Sequence, residues 1–292
     1  DAARLLLSSL QLTRNIQGLY QAAEQIQANP NLLKDDIPSI LARIAEQRDF
    51  NRCFEHEQAG NHRTAAECFL DYVRRFPNTP LKDKSLLNAA NNFFKARLVE
   101  RSLEANQQIV NTMPDSPLAA RALFYIADTY RRLAVYSEAA RIYEIFVAQV
   151  PKHELAEEAL RYATLFRAGL GEWDLAIKDL RRYMELFPKN PFAAAQAFEI
   201  ANILEKQGKA ALAQKEYEAW LRKYGKGNLD LYLKAHLRIG LTLRAQRQDA
   251  RALEWFQKTV KAYEELSDEE KGKVKKTKQE GWWRKLTGTG KG

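Results

Sequence analysis

With 292 residues, 46% of them hydrophobic and 28% charged, the chain is long enough to bury a real core, and its scarce Gly and Pro tilt the composition towards helix. No apolar run approaches the roughly 18 residues of a membrane-spanning helix. The net charge of +9 does not by itself imply nucleic acid, because residues 267–292 supply +4 and the rest is spread over a much longer body. The chain opens on Asp1 without an initiator Met or signal-peptide pattern, as expected of a processed chain or a piece of a longer one.

Residues 1–28 predict one helix, with Leu6, Leu10, Ile16, Leu19, Ala23 and Ile26 near helical spacing and Asn29-Pro30 as its stop. Asp36 is the expected N-cap of a second helix that runs through Ile40 and Ile44 and onward. Residues 1–45 are accordingly expected to form a degenerate unit or an N-terminal cap.

From there a fixed period takes over. Pro77, Pro114, Pro151 and Pro188 are 37 residues apart, and Gly225 continues the series. Pro80, Pro117 and Pro191 fall on the same ruler, with Glu154 in the vacant slot. Twenty-four residues before each of these punctuation points lies a small-residue column, Cys53, Ala90, Ala127, Thr164 and Ala201. A second follows with Ala65, Ser102, Ala139, Ala176 and Ala213, and then a bulkier one with Phe69, Asn106, Tyr143, Leu180 and Tyr217. Gly60, Arg97, Ala134, Gly171 and Gly208 hold a turn position between the small columns. After a two-residue slip, Ile239-Gly240, Ala252 and Phe256 repeat the same roles. Each unit therefore reads as two amphipathic helices joined by a tight turn, small residues allowing close approach and large ones filling the groove to the next unit. Thr79, Ser116 and Asn190 each precede a proline, which predicts an N-cap with proline at the first helical position.

Cys53 and Cys68 form no CxxC and are read as small core residues; the sharper alternative is a disulfide, which needs an oxidising compartment. The stretch 267–292 reads as a basic, flexible tail, or as a segment whose Trp282-Trp283 beside Arg284-Lys285 seats at a membrane interface or in another protein's groove. Its final GTGKG lacks the spacing and framing of a phosphate loop. His56, His62, His153 and His236 have no partner at i+4, and no strand-framed Gly-rich loop is present. The chain is expected not to be an enzyme and to need no cofactor or metal.

The repeat resembles the tetratricopeptide repeat family, whose motif runs L-G-x2-Y, then A-x3-F, then P. The likeness is carried by ALFYIADTYRRLAVYSEAARIYEIFVAQVP at 122–151, LRIGLTLRAQRQDARALEWF at 237–256 and FEHEQAGNHRTAAECFLDYVRRFP at 54–77. It covers roughly residues 46–266 as six units, weakest in the second, where Arg97 holds the turn and Asn106 stands where an aromatic is expected. The period is longer than the family's usual length of about 34. This resemblance implies an all-α fold, a right-handed α-solenoid of stacked antiparallel helix pairs. The long unit and its FP…P linker are similar to a subgroup from Gram-negative envelope machines: outer-membrane assembly, Tol–Pal coordination and myxobacterial gliding motility.

In that family the first helix of each unit lines the concave surface. Helical phase then puts Phe50, Phe54, Lys84, Asn91, Lys95, Arg121, Phe124, Asp128, Arg131 and Arg132 in the groove of the early units. Phe198, Asn202, Lys206, Lys234 and Arg244 follow in the later ones. Aromatics among cations suit acidic or amphipathic peptide segments of other proteins. Asn91 and Arg121 echo a carboxylate clamp, but Leu87 and Tyr125 stand where that clamp needs polar groups, so no clamp is inferred. The expectation is a non-catalytic protein–protein interaction scaffold in a Gram-negative envelope complex, periplasmic rather than cytoplasmic. A nucleic-acid-binding or regulatory module is the alternative, and the diffuse charge argues against nucleic acid.

Overall fold

The computed structural model describes residues 2–275, so the Trp282-Trp283 cluster and the rest of the basic end lie outside the described residues. Those described hold fifteen α-helices and no strand, and they divide into two units, Asp1–Leu133 and Ala134–Gly292.

The first unit contains α1 (Ala2–Leu12), α2 (Ile16–Gln27), α3 (Ile37–Gln58), α4 (His62–Arg75), α5 (Lys82–Lys95), α6 (Val99–Thr112) and α7 (Ala119–Arg132). Each helix packs on the next. Where the sequence predicts a single helix over 1–28, the chain breaks. Arg14 adopts a left-handed φ of 54°, and the Asn15 side chain then caps α2 by accepting from the Gly18 N–H at 3.0 Å. The break lets Leu7 fold back into a small core with Leu19, Ile26, Leu41 and Ile44. α3 runs unbroken through residue 45, so the predicted cap region and the first repeat share one helix.

α3 and α4 are antiparallel, as three cross-links of nearly constant residue sum show. The Tyr72 hydroxyl donates to Glu46 at 2.9 Å, Arg75 Nη1 donates to Asp49 at 2.8 Å, and Cys53 is bonded to Cys68. The two cysteines are therefore a disulfide and not free core thiols. Cys53 occupies the small column of α3 and Cys68 lies across from it on α4, with Cα atoms 5.4 Å apart, within disulfide reach.

The second unit contains α8 (Tyr136–Gln149), α9 (Ala156–Gly169), α10 (Trp173–Leu186), α11 (Ala193–Lys206), α12 (Ala210–Tyr224), α13 (Leu229–Ala245), α14 (Asp249–Glu264) and α15 (Asp268–Lys275). Here too successive helices pack in order, and α15 returns onto α13. The stretch read as tail thus begins in a helix. Ser267 and Glu270 form a capping box, the Glu270 N–H reaching Ser267 Oγ at 3.2 Å and the Ser267 N–H reaching Glu270 at 2.8 Å. Val274 then packs with Leu233, Ala262 and Leu266.

The period is visible in the helix starts. α4, α6, α8, α10 and α12 begin at 62, 99, 136, 173 and 210. All three columns are buried, with no member more than 8% exposed. The turn column has one conformation throughout: φ lies between 60° and 76° at Gly60, Arg97, Ala134, Gly171 and Gly208, and Arg247 repeats it at 59°. This left-handed geometry suits glycine and is tolerated at a cost by the others.

The proposed N-caps work differently. Thr79 Oγ1, Ser116 Oγ and Asn190 Oδ1 accept from the N–H two residues on, at 3.1, 3.0 and 2.9 Å, and the helices begin one residue later still. These side chains close a turn that delivers the chain to the helix, and Pro80, Pro117 and Pro191 sit inside that turn rather than at the first helical position. His153 fills the same role through Nδ1, 3.1 Å from the Leu155 nitrogen.

Candidate peptide-binding cleft

Within the first unit, the first helices of successive repeats and α6 enclose a cleft of about 390 Å³. α3 contributes Glu57 at its C-terminal end, and α5 contributes Asn91, Phe94 and Lys95. Tyr125, Asp128, Thr129 and Arg132 come from α7. Ser102 and Asn106 of α6 complete the lining, 2% and 1% exposed, so they lie at its floor.

The charges at this cleft are already paired with one another, one carboxylate being shared by two arginines. Lys95 Nζ lies 2.7 Å from Glu57 Oε1. Arg132 Nε donates to Asp128 Oδ2 and Arg131 Nε to Asp128 Oδ1, both at 2.7 Å. Burial works to raise the Glu57 carboxyl, but hydrogen bonds from Lys95 and Asn92, with the charges of Lys95 and His62, outweigh it and hold Glu57 below the usual carboxylate range. The Arg132 guanidinium also rests over the Phe94 ring, 5.1 Å from its centre. One polar atom stands apart. Asn106 Oδ1 is buried and has no hydrogen-bond partner among the described residues, a state that costs about 1–3 kcal/mol unless something supplies a donor.

The structure brings together Asn91, Lys95, Asp128 and Arg132 of the residues expected in the groove, and places the others elsewhere. Phe50 (8% exposed) and Phe124 (7% exposed) belong to the core. Phe50 meets Phe54, Phe69 and Tyr72 ring to ring, with centres 5.3–5.7 Å apart, and Phe54 is half-buried in the same cluster. Lys84 is exposed and Arg121 half-buried, and neither lines the cleft; Arg131 does not line it either but donates to Asp128, which does.

In the second unit, Asn202, Lys206 and Lys234 share a smaller cleft of about 330 Å³ with Glu199, Glu205 and Arg238, while Phe198 is core and Arg244 stands outside. Desolvation, then the neighbouring Arg238, lowers the Lys234 ammonium from its ordinary value. Six lining residues of the larger cleft were not expected: Glu57, Phe94, Ser102, Asn106, Tyr125 and Thr129. Asn106 carried a signal, because it breaks a column of large buried side chains.

Residues 121–153 and 159–190 match the family model described as tetratricopeptide repeat. No curated protein matches the sequence. Among solved structures, a tetratricopeptide repeat protein from Parabacteroides merdae ATCC 43184 is similar at 16% identity, over 79% of this chain and 85% of that one, with a TM-score of 0.44. The MamA protein is similar at 17% identity over 65% of this chain and 98% of its own, with a TM-score of 0.42. YrrB, described as a TPR protein with an unusual peptide-binding site, is 19% identical over 73% of this chain and 100% of its own, with a TM-score of 0.41. Helix pairs recur every 37 residues, and the tetratricopeptide repeat model matches the chain over residues 121–153 and 159–190.

Proposed function

We propose that the chain is a non-catalytic interaction scaffold that holds a peptide segment of another protein in the cleft between α3, α5, α6 and α7. The repeat family supports the scaffold, and the observation that carries the cleft is Asn106 Oδ1, buried at its floor without a donor. A backbone N–H of an extended segment supplies that donor, while Phe94 and Tyr125 offer apolar contact to a neighbouring side chain. Because Lys95 and Arg132 are each engaged by a carboxylate, the cleft favours an amphipathic segment over a strongly acidic one.

The Cys53–Cys68 disulfide supports an oxidising compartment, in keeping with a periplasmic or envelope-associated scaffold in a Gram-negative bacterium. Work in an envelope complex, such as a motility or outer-membrane assembly machine, is part of the same proposal and rests on the long repeat unit.

The test uses Asn106→Tyr, which restores the aromatic of this column and fills the cleft. Envelope extract is passed over the native chain and the variant, both verified as folded. Partners held only by the native chain support the cleft; an identical set on both removes it from the account.

A further inference from the structure

Unit two holds a different opening, on the face built by second helices. α8 and α10 flank a cleft of about 610 Å³, with Val147, Leu160, Leu175 and Ile177 among its apolar lining. Asp179 lines it too, although only 6% of the residue is exposed. One, two and three repeat lengths earlier this position is Ile142, Ala105 and Cys68. One repeat later it is Glu216, half-buried, so what sets Asp179 apart is a carboxylate held at a buried position.

In its ionised form its neighbours do not satisfy it; a protonated Asp179 shares a hydrogen bond with Glu144. Asp179 Oδ2 accepts no hydrogen bond from any described residue, and the carboxyl lies against Glu144, another acid. Among the described residues the one buried cation is Arg167, itself in a position held by Phe93 and Leu204 in other repeats. Arg167 is already committed: it donates to Glu144 at 2.6 and 3.0 Å and to Glu172 at 2.5 Å. Three carboxyl groups therefore surround one guanidinium. Arg181 and Arg182 at the cleft are engaged by Glu216 and Glu185, and Lys178 is exposed and forms no ion pair with Asp179. Among the described residues no group of three or more His, Cys, Asp and Glu could hold a metal ion.

We propose that this cleft is a second docking site, which receives a lysine side chain of a partner protein: the apolar walls take its methylene stem and the Glu144–Asp179 pair takes its ammonium. The missing positive charge and the unpartnered Oδ2 are answered by the same group, a donor with no acceptor lone pair. Burial first, and then the negative charge of Glu144, push the Asp179 carboxyl up to about 7 against the opposing pull of Arg167 and Lys178. Below that pH Asp179 is neutral and the charge deficit shrinks, so the ammonium is held more tightly as pH rises through it.

The test titrates the intact chain with a labelled Leu-Leu-Lys-Leu-Leu peptide and its norleucine counterpart, near pH 6 and near pH 8. The lysine peptide is expected to bind about tenfold tighter at the higher pH, and the norleucine peptide to show no such change. Asp179→Asn abolishes the pH effect, and Leu175→Lys, which places the chain's own ammonium at the cleft, abolishes binding. Absence of lysine-peptide binding overturns the proposal. So does the same affinity and pH profile in the native chain and in either variant.

Discussion

Cys53 and Cys68 join α3 to α4 at a separation of fifteen residues, inside the hairpin that also carries the Glu46–Tyr72 and Asp49–Arg75 contacts. A link closing a loop of that length stabilises a fold by about 3 kcal/mol, chiefly by restricting the unfolded chain. Replacing both cysteines by Ala is expected to lower unfolding stability by that order. Ala is the commonest residue of the column Cys53 occupies, so packing changes little. Urea unfolding of the native chain with and without reductant gives the comparison. Equal midpoints would mean that the bond adds nothing.

Arg97 holds a φ of 64° at a turn where three other repeats have glycine. A non-glycine residue there costs about 1–2 kcal/mol, partly offset by its smaller entropy when unfolded. Arg97 is exposed, so Arg97→Gly is expected to stabilise the chain by about 1 kcal/mol, seen as a higher melting temperature. A lower one would show that the side chain makes a contribution its exposure hides.

The other departure in that repeat, Asn106, carries the opposite expectation for binding. Asn106→Leu removes a buried atom with no partner and is expected to raise stability by about 1–3 kcal/mol. The same change should abolish capture of cleft-dependent partners, a trade of fold stability against function. Calorimetry and capture on one sample decide it. A variant that binds normally would place recognition elsewhere.

The backbone was largely legible in the sequence because it is periodic. A column such as Ala65, Ser102, Ala139, Ala176 and Ala213 can only be the place where helices approach closely, and all of it is buried. What escaped was local chemistry with no period. Arg14 breaks the first helix, and His153 takes over a role that Thr79, Ser116 and Asn190 fill with oxygen. The cleft was half legible. Helical phase located Asn91, Lys95, Asp128 and Arg132, but it could not tell that the cations are held by Glu57 and Asp128, nor that Phe50 and Phe124 turn inward. Side-chain pairing depends on rotamers and neighbouring helices, which spacing alone does not encode.

Gly240 and Phe256 meet where the last repeat closes. A Cβ on Gly240 would lie 2.5 Å from the Phe256 ring, so the ring must leave its place if any side chain is added. Gly240→Ala is expected to cost about 1–3 kcal/mol. Pairing it with Phe256→Leu should recover part of the loss, because the crowding ring is gone. Melting temperatures of the single and double variants provide the cycle, and strict additivity would exclude the contact as the cause.

Asp179 makes stability depend on pH in the unusual direction for an acid. Its folded pKa is raised, to about 7, against an unfolded value near 4, so the folded state holds a proton that the unfolded state has lost between those limits. Stability contributed by this group is therefore full below about pH 4 and declines as pH rises towards 7. Asp179→Asn keeps the shape and cannot ionise. Relative to the native chain it is expected to gain about 2–4 kcal/mol between pH 4 and pH 8, with most of the change complete by pH 7. Urea midpoints of both proteins across that range measure it. A constant difference would mean that Asp179 titrates normally, and that Glu144 and Arg167 accommodate its charge without a third partner.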